Sequence, residues 1–547
     1  MAHAAFPKGN AYLRLYDALG PIYTNPQFAA LFPKDGQPAV APAQLALVTI
    51  FQFAEGLSDR QAADAVRDRI SWKYALCLPL EDAGFDARRR PQGGRLSEFR
   101  TRLVAGKAEY QLLDLLLECC KGEGLVQARG KARTDSTQRP PCGRRRAATR
   151  ALNRLETVGE TLRHALNTLA SVQPDWLQPR IDPTWLERYG PRVDEYRFPK
   201  GAVERQALAA QIGTDGVRLY QAATASDAPV WLREVPAVET LRAVWLQQFY
   251  APDEAGRVRW RGQDDAPPAA VLINSPYDVE ARYSKKRSTV WTGYKVQITE
   301  TCDPETPNLI THVATTPATV PDVEQLAPIH TALAKKDLLP AEHLVDAGYG
   351  AAEALVTSKE MHGVEVIGPA PQDTRWQARA GEGFDVACFT LDWEQEHATC
   401  PQGVQSTKWT ETHNDHANPI INIRFPAAAC RACAVRAKCT TSASGPREIT
   451  VRPKVQYLAL QAARQYQKTK AFQERYATRP GIEATISQGL RVTDLRHARY
   501  IGLAKTRLQH ILTAAALNIC RLSDWFAERP RASIRITPFV KLATLAP

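Results

Sequence analysis

Three acidic residues lie in segments whose composition suits chemistry on phosphates. Asp346 follows a short apolar stretch in HLVDAGYG, just before a glycine-containing turn. Glu483, in RPGIEATISQGLR, and Asp135, in KARTDSTQRP, each stand among basic residues. Metal-assisted phosphate chemistry needs this mixture, because carboxylates bind the cation and bases bind the phosphates. These three acids are therefore candidate catalytic residues.

Each acid also has a purely structural interpretation. An aspartate at the end of a strand often caps the following helix, although the predicted helix after Asp346 begins some residues later. A carboxylate among cations can form a structural ion pair, which is the alternative for Glu483 and Asp135. Open α/β sheets bind ligands at the carboxyl ends of their strands, so the position of Asp346 favours function.

One group of cysteines has the spacing of metal ligands. Cys430 and Cys433 form a CxxC pair, Cys439 follows shortly after it, and Cys400 opens CPQG upstream. Four thiolates suit a tetrahedral structural zinc site. Cys388 could replace one ligand, and free thiols are the alternative. A catalytic thiol is disfavoured because no paired histidine is evident.

The remaining cysteines follow no ligand pattern. The chain has eleven cysteines in all, and in a reducing cytoplasm they do not predict a disulfide framework. Apolar neighbours instead predict that four of them are small core residues. These four are Cys77, Cys119, Cys120 and Cys520.

The distribution of charge favours a polyanionic partner. Lys and Arg outnumber Asp and Glu by 70 to 58, a formal net charge of +12. Residues 129–150 contain eight basic side chains and one acid, and residues 491–547 contain ten and three. Nucleic acid is the partner that such segments predict, with a solvated charged surface as the alternative.

The sequence predicts neither a membrane segment nor an export signal. No stretch approaches the roughly 20 apolar residues that a bilayer span requires. Residues 1–10 lack the long apolar run of a secretory signal. We therefore expect a cytoplasmic protein without a membrane partner.

Apolar patterns predict the elements that must position these side chains. Residues 12–124 are typical of helices, with Ser58 as an N-cap, and ALNRLETVGETLRHALNTLA predicts a long amphipathic helix. WTGYKVQITET and NLITHVATT predict a hairpin, and strands in EHLVDAGYG and VEVIGPA alternate with helices. This alternation is typical of an α/β sheet.

Several motifs together resemble the DDE transposases of bacterial insertion sequences. They are LSDRQAADAV, LSEFRTRLV, RTDST, SPYDVEARYSKKRSTVWTGYKVQITETCDP, VDAGY, RPGIEATISQGLR and RYIGLAKTRLQH. The resemblance covers most of the chain. It implies a ribonuclease-H-like core in which Asp135, Asp346 and Glu483 bind two Mg²⁺ (or Mn²⁺) ions for cutting and rejoining DNA strands.

The resemblance also implies residues that hold DNA phosphates near the cut. Tyr476 and Arg479 match the tyrosine and arginine of a signature found in related transposases, together with the catalytic glutamate. Leu490 stands where that signature has its lysine. Arg491 or Lys505 is therefore expected to substitute for it.

The implied fold is α/β, a ribonuclease-H-like mixed sheet with helices, a helical N-terminal domain and an inserted cysteine-rich subdomain. The N-terminal domain is expected to bind DNA, and helices that only support the core are the alternative. The zinc would stiffen the insertion beside the active site. The expected boundaries are 1–124 for the N-terminal domain, 125–371 for the first part of the core with a helical insertion at about 150–270, 372–453 for the cysteine-rich insertion, 454–528 for the second part of the core and 529–547 for a basic tail.

Two segments depart from the family pattern, namely ARRRPQGGR before LSEFR and QRPPCGRRRAATR after RTDST. Both are abruptly rich in Arg, and the second is expected to disturb the strand that carries Asp135. Gln138 also stands where relatives tend to have a histidine.

The implied function is transposition of double-stranded DNA, with cleavage at terminal inverted repeats and transfer to target DNA. A homodimer is expected because two ends must be brought together. Two alternatives stay open: a DNA-binding remnant without catalysis, and a cellular nuclease with the same core.

Overall fold

The computed structural model divides the chain into two compact units. The structure describes residues 1–33, 40–85, 95–139, 152–192, 198–286, 288–415, 417–442 and 444–530. The predicted tail beyond residue 530 and most of the two Arg-rich departures lie outside those ranges. Unit 1 comprises Met1–Gln127, Ser136–Val320 and Glu483–Pro547, and unit 2 comprises Ala128–Asp135 and Pro321–Ile482.

Unit 1 begins with helices, as the sequence predicts. Every side chain from Leu45 to Phe53 is buried, so this helix needs partners on all sides. Ser58 accepts a hydrogen bond from the backbone of Gln61 and caps the next helix, which confirms the predicted N-cap. The helices are α1 (Ala2–Ala5), α2 (Ala11–Leu19), α3 (Pro42–Ala54), α4 (Asp59–Asp68), α5 (Ile70–Ala75), α6 (Arg95–Ala105) and α7 (Gln111–Gly122).

A second group of helices in unit 1 has its own core. Leu155, Leu162 and Leu169 recur at helical spacing and are fully buried, as the amphipathic pattern predicts. A Cβ on Gly216 would lie 2.1 Å from the ring of Trp245, so two helices approach closely there. The helices are α8 (Arg154–Val172), α9 (Pro174–Leu177), α10 (Pro183–Tyr189), α11 (Ala202–Thr224) and α12 (Pro236–Gln248).

Three antiparallel strands of unit 1 confirm the predicted hairpin. β3 (Thr289–Thr301) pairs with β2 (Arg282–Lys286) and with β4 (Ile310–Pro317). The register between β3 and β4 shifts at Thr299 and Glu300. The three strands therefore form an antiparallel sheet in which β2 and β4 both pair with β3.

Unit 2 contains the parallel strands. β1 (Lys131–Arg139) pairs through its first residues with β5 (Glu342–Leu344), and β5 pairs with β6 (Glu365–Ile367). The helices α13 (Leu326–Lys335) and α14 (Ala352–His362) alternate with these strands. Parallel and antiparallel strands alternating with helices agree with the predicted α/β class.

The cysteine-containing segment of unit 2 surrounds a small core of its own. Phe389, Ile423, Phe425 and Ile449 are buried in this core. The strands β9, β10 and β11 form an antiparallel sheet, and β7 pairs with β8. The elements are α15 (Trp376–Ala380), β7 (Thr390–Asp392), β8 (His397–Thr399), β9 (Lys408–His413), β10 (Pro419–Arg424), α16 (Ala427–Ala432) and β11 (Glu448–Val451).

Four helices complete the described chain. α17 (Lys454–Tyr466) and α18 (Lys470–Tyr476) belong to unit 2, α19 (Gly481–Val492) begins there and continues into unit 1, and α20 (Leu503–Phe526) belongs to unit 1. α20 packs against α2, α3, α7 and β4 and covers the apolar face of α3. Within the described ranges, no helix is both long and apolar enough to cross a bilayer.

Two expectations from the sequence are wrong. β1 continues regularly to Arg139, so the Arg-rich departure does not interrupt the strand at Asp135. Cys77 is exposed instead of buried; it lies in the turn after α5, where its backbone has a positive φ of 53°. Cys119 and Cys520 are only partly buried, whereas Cys120 is buried as predicted.

Candidate active site

Parallel pairing of β1 with β5 brings Asp135 on β1 to a position that matches Asp346, which follows the end of β5. Arg133 and Leu344 form the last registered pair of β1 and β5, and each acid follows its member of that pair by two residues. Residues two apart on a strand point to the same face. The side chains of Asp135 and Asp346 are 14% and 28% exposed. The sequence predicted each acid separately, but the register brings them together.

Arg479 lies between the two carboxylates. Its Nη2 is 2.8 Å from Oδ2 of Asp135 and 4.0 Å from Oδ2 of Asp346. The Arg479 side chain is only 10% exposed. One guanidinium therefore compensates two partly buried carboxylates, which would otherwise repel each other. The resemblance implied that Arg479 faces DNA phosphates, and in this structure it faces carboxylates.

Helix α18 is attached to the ends of the parallel strands. The Tyr476 hydroxyl donates to the carbonyl oxygen of Val345 at 3.1 Å. Arg475 pairs with Glu365 at 2.7 Å and with Glu342 at 3.2 Å. The hydrogen bond from Arg475 lowers the pKa of Glu365. The sequence did not single out Arg475, because it is one base among many in its segment.

The turn between α18 and α19 leaves no room for a side chain at Gly481. Arg133 donates from Nη1 to the carbonyl oxygen of Thr478. A Cβ on Gly481 would lie 2.0 Å from that same Nη1. Only glycine allows this close approach without a shift of Arg133 or of the turn. The start of α19, two residues before Glu483, is therefore fixed against β1.

Glu483 is exposed in the first turn of α19, at the point where unit 1 resumes. Thr485 donates to Oε2 of Glu300 at 2.6 Å, and Arg521 of α20 donates to the same oxygen at 2.7 Å. Glu300 is fully buried. This network holds α19 against β3 and α20 within unit 1. Sequence reasoning missed it, although an acid on the same strand face as the apolar Ile298 was an available signal.

Buried neutral histidines support the strands that carry the acids. Thr134 Oγ1 is 2.7 Å from His343 Nε2, and His343 Nδ1 is 2.8 Å from His330 Nε2. Burial lowers the pKa of His330 to about 4 and also lowers that of His343. Both imidazoles are therefore neutral at pH 7. Thr134 immediately precedes Asp135, so this neutral network holds β1 beside β5.

A further acid, Asp322, lies close to Asp346. The backbone N–H of Gly348 donates to Oδ1 of Asp346 at 2.8 Å. A Cβ on Gly348 would lie 3.0 Å from that oxygen and 3.7 Å from Oδ2 of Asp322. The sequence did not single out Asp322, because an acid in the first turn of a helix is ordinary.

The carboxylates are a partial fit to a divalent cation. Oxygen ligands from a few carboxylates are what Mg²⁺ takes in proteins, and Asp135 and Asp346 supply two of them. In the part of the chain that the structure describes, no group of three or more His, Cys, Asp or Glu side chains is arranged to hold a metal ion. Arg479 lies between the two acids, and Glu483 belongs to the other unit. A cation at the two acids must displace the guanidinium.

The four cysteines with ligand spacing line one cavity of 290 Å³ in unit 2. The backbone N–H of Arg447 donates to Sγ of Cys430 at 3.5 Å. Burial raises the pKa of Cys439, and the neighbouring thiols add to that effect. Cys388 is exposed and donates to Asp385. The cysteines of the cavity are Cys400, Cys430, Cys433 and Cys439.

Arg491 and Lys505, the expected substitutes for the signature lysine, are exposed residues of unit 1. Arg491 lies on α19 and donates to the carbonyl oxygen of Ser487 at 3.4 Å. Leu490 beside it is partly buried. Both bases are therefore accessible to a ligand.

Two segments of the chain match known family models. Residues 2–89 match the family described as "Transposase domain (DUF772)", and residues 399–523 match the family described as "Transposase DDE domain". No curated protein matches the chain. The second segment contains Arg479, Glu483 and the four cysteines of the cavity, whereas Asp135 and Asp346 lie outside both segments.

Proposed function

We propose that this chain is a DDE transposase of an insertion sequence, as the two matched transposase domains support. In this proposal it cuts double-stranded DNA at the ends of its element and joins the cut strands to target DNA. The observation that carries the proposal is the alignment of Asp135 with Asp346 through the parallel pairing of β1 with β5, with Arg479 between them. A ribonuclease-H-like core would use such strands to carry two of its three acids.

In this proposal Asp135, Asp346 and Glu483 hold two divalent ions, Mg²⁺ or Mn²⁺. Such ions, when bound, activate the attacking oxygen and stabilise the leaving oxygen. Water first attacks a phosphodiester, which leaves a 3′-hydroxyl and a 5′-phosphate. That 3′-hydroxyl then attacks a phosphodiester of the target, so that one new bond forms as one target bond breaks. No further reactant is needed for either step.

Arg479 has a different partner in each state. With a cation held by Asp135 and Asp346, the Arg479 guanidinium would be free to contact a DNA phosphate, whose two non-bridging oxygens can accept a bidentate pair of hydrogen bonds as a carboxylate does. Arg475 and Tyr476 keep the turn attached to the strands while Arg479 changes partner. Arg491 or Lys505 supplies a further phosphate contact.

Two features of the assembly belong to the same proposal. The helical N-terminal segment, which matches a transposase domain over residues 2–89, binds DNA. Two copies of the chain act together as a homodimer, because two element ends must be held at once.

The test is cleavage of a labelled duplex that carries the DNA flanking the coding region, with Mg²⁺ present. We expect Asp346→Asn, which keeps the shape and removes the charge, to lower the nicking rate by at least about 100-fold, since even outer partners of metal ligands contribute 10- to 100-fold. Glu353→Gln removes an exposed acid of α14 and should leave the rate unchanged.

Three outcomes would contradict the proposal in different ways. Nicking by Asp346→Asn at the normal rate would refute the assignment of the acids. Binding of the duplex by the unaltered protein without any nicking would favour the DNA-binding remnant. Nicking that ignores the sequence of the ends would favour a cellular nuclease.

We also propose that the four cysteines of the 290 Å³ cavity bind a structural zinc ion. Four thiolates are the ligand set that zinc prefers. Among the described residues the four cysteines line one cavity but are not arranged around a single metal position, so zinc would draw them together. We expect about one zinc per chain by elemental analysis, and Cys433→Ser should lower both the zinc content and the melting temperature. Cys388→Ser, outside the cavity, is the control. Zinc-free protein with an unchanged melting temperature would end this proposal.

A further inference from the structure

A cavity of 840 Å³ in unit 1 is lined by basic, polar, aromatic and aliphatic side chains. Its walls come from the first turns of α8 and α11, from residues 260–263 and from the hairpin of β2 and β3. None of the described residues that line it is acidic. We call it the arginine cavity after three of its lining residues, Arg154, Arg205 and Arg261.

Two of these arginines are held in place by neutral groups. Arg154 donates to Oε1 of Gln248 at 2.8 Å and to the carbonyl oxygen of Arg261 at 3.0 Å, and its guanidinium lies 4.8 Å from the ring centre of Trp260. Arg261 donates from Nε to the carbonyl oxygen of Phe249 at 3.0 Å. These contacts fix the guanidinium groups without cancelling their charge. The cavity therefore carries a preorganised positive potential.

Two acids near the cavity are already used by the ends of their own helices, and the carboxylate of Asp265 lies 3.8 Å from the position of a Cβ on Gly262. Glu156 accepts a hydrogen bond from the backbone of Asn153 at 2.8 Å. Glu204 lies against Gly201, at the start of α11. Arg205, one residue further on, pairs with no acidic side chain of the described chain. The affinity of the cavity for an anion therefore rests on its arginines and not on the helix ends.

The wall formed by the hairpin is apolar and open to solvent. Tyr283 on β2 is 38% exposed and Val290 on β3 is 48% exposed. Proteins often bind single-stranded nucleic acid with an exposed aromatic ring and fixed cations, because nucleobases stack on the ring and phosphates pair with the arginine or lysine side chains.

The size of the cavity limits what it can take. Its volume of 840 Å³ falls within the range of small-ligand sites, roughly 300–1,000 Å³. A cavity of this size is far too small for a DNA duplex. We propose that the arginine cavity binds one or two unpaired nucleotides of a DNA strand, with the phosphates against Arg154 and Arg205 and a base against Tyr283. The inference rests on the proposed function, because it takes the substrate to be DNA with an opened or overhanging end.

The experiment measures binding of two fluorescent oligonucleotides by anisotropy, without added Mg²⁺ or Mn²⁺ so that no cleavage occurs. One is a blunt duplex and the other is the same duplex with a three-nucleotide single-stranded overhang. The unaltered protein should bind the overhang more tightly. Arg205→Ala should weaken that binding by on the order of tenfold and reduce the slope of log K against log[salt] by about 0.7, the value for one single-strand phosphate contact.

Tyr283→Ala should also weaken binding of the overhang by on the order of tenfold, but with an unchanged salt slope, because stacking releases no counterions. Tyr283→Phe should retain binding. Arg233→Ala, an exposed arginine of unit 1 that does not line the cavity, is the matched control. Circular dichroism of each variant checks that it is folded.

Equal affinity of Arg205→Ala and the unaltered protein for the overhang would overturn the inference. So would an equal loss of affinity for both duplexes, which would mark an ordinary contact to duplex backbone. A nicking assay run in parallel separates the two proposals. Loss of nicking with intact overhang preference would refute the proposed function alone, and normal nicking without that preference would refute the cavity alone.

Discussion

Two regions of the molecule contain arginines held by hydrogen bonds, but the partners are carboxylates in one region and neutral oxygens in the other. In the candidate active site, Arg479 and Arg475 each face two carboxylates at distances of 4.0 Å or less. In the arginine cavity, Arg154 and Arg261 are held by amide and carbonyl oxygens. A ligand must displace an internal partner in the first region, whereas an anion meets uncancelled charge in the second. The difference shows that the acceptors around an arginine decide whether it stabilises the fold or attracts a ligand.

The largest loss of stability should come from breaking the ion pair between Arg521 and the fully buried Glu300. Arg521→Met leaves the Glu300 carboxylate buried without its cation, so we expect the free energy of unfolding to fall by about 3–5 kcal/mol. Urea unfolding measures this. Adding Glu300→Leu to Arg521→Met should restore much of the loss. A single variant as stable as the unaltered protein would show that this pair is not balanced as the structure indicates.

A smaller effect should follow from the neutral histidines behind the acids. The pKa of His330 is about 4 in the fold against 6.5 for an ordinary histidine. As pH falls below 6.5 the unfolded chain binds a proton that the folded chain does not, so stability decreases until pH reaches about 4. The total change is roughly 3 kcal/mol, and burial of His343 acts in the same direction.

Urea unfolding between pH 7 and pH 4.5 checks this dependence, with His330→Leu as the comparison. The loss of stability with falling pH should be smaller in the variant, because only one of the two imidazoles then remains to be protonated on unfolding. An identical pH dependence in both proteins would contradict the neutral state of His330.

Removing the Arg479 guanidinium from the candidate active site should change the free energy of Mn²⁺ binding by about 1 kcal/mol. Arg479→Gln leaves Asp135 and Asp346 uncompensated, so Mn²⁺ should bind about three- to tenfold more tightly in the absence of DNA. Electron paramagnetic resonance of free Mn²⁺ measures the affinity. Arg491→Gln, an exposed base of unit 1, is the control. Weaker Mn²⁺ binding by Arg479→Gln would show that the guanidinium does not compete with the metal.

The smallest change in the free energy of unfolding is expected at Arg205 in the arginine cavity, and a comparison with Arg475 separates the two regions directly. Arg205→Ala should change the free energy of unfolding by less than about 0.5 kcal/mol, because it removes no ion pair. Arg475→Ala, which leaves Glu342 and Glu365 without their shared partner, should lower it by about 1–3 kcal/mol. Melting curves of the two variants at equal salt test the contrast, and equal losses would erase it.

Patterns among residues close together in the sequence predicted much of the secondary structure. Ser58 caps a helix because its oxygen reaches a backbone N–H three residues later, and the alternating residues of β3 specify a strand. The same patterns placed Asp346 at the end of a strand. They failed at Cys77, because apolar neighbours do not reveal a backbone turn of positive φ.

The parts that could not be predicted depend on pairs that are far apart in the sequence. The register of β1 on β5 joins residues more than 200 positions apart, and no local pattern contains it. Glu300 is buried only because Arg521, 221 residues later, supplies its partner. Arg479 was recognised from a signature, but its place between two carboxylates depends on how the turn after α18 meets the strands.

A side chain on α20 forms hydrogen bonds to the backbone of β4, a strand of the antiparallel sheet. Asn518 accepts a hydrogen bond from the backbone N–H of Ile310 at 2.8 Å and donates one to its carbonyl oxygen at 2.9 Å, so its amide imitates a neighbouring strand. Exposed strand edges recruit other chains and begin aggregation. By pairing with β4 from a fully buried position, Asn518 occupies the N–H and the carbonyl oxygen of Ile310, which another strand would otherwise need. Replacement of this one amide would therefore remove two buried hydrogen bonds at once, whatever its effect on DNA.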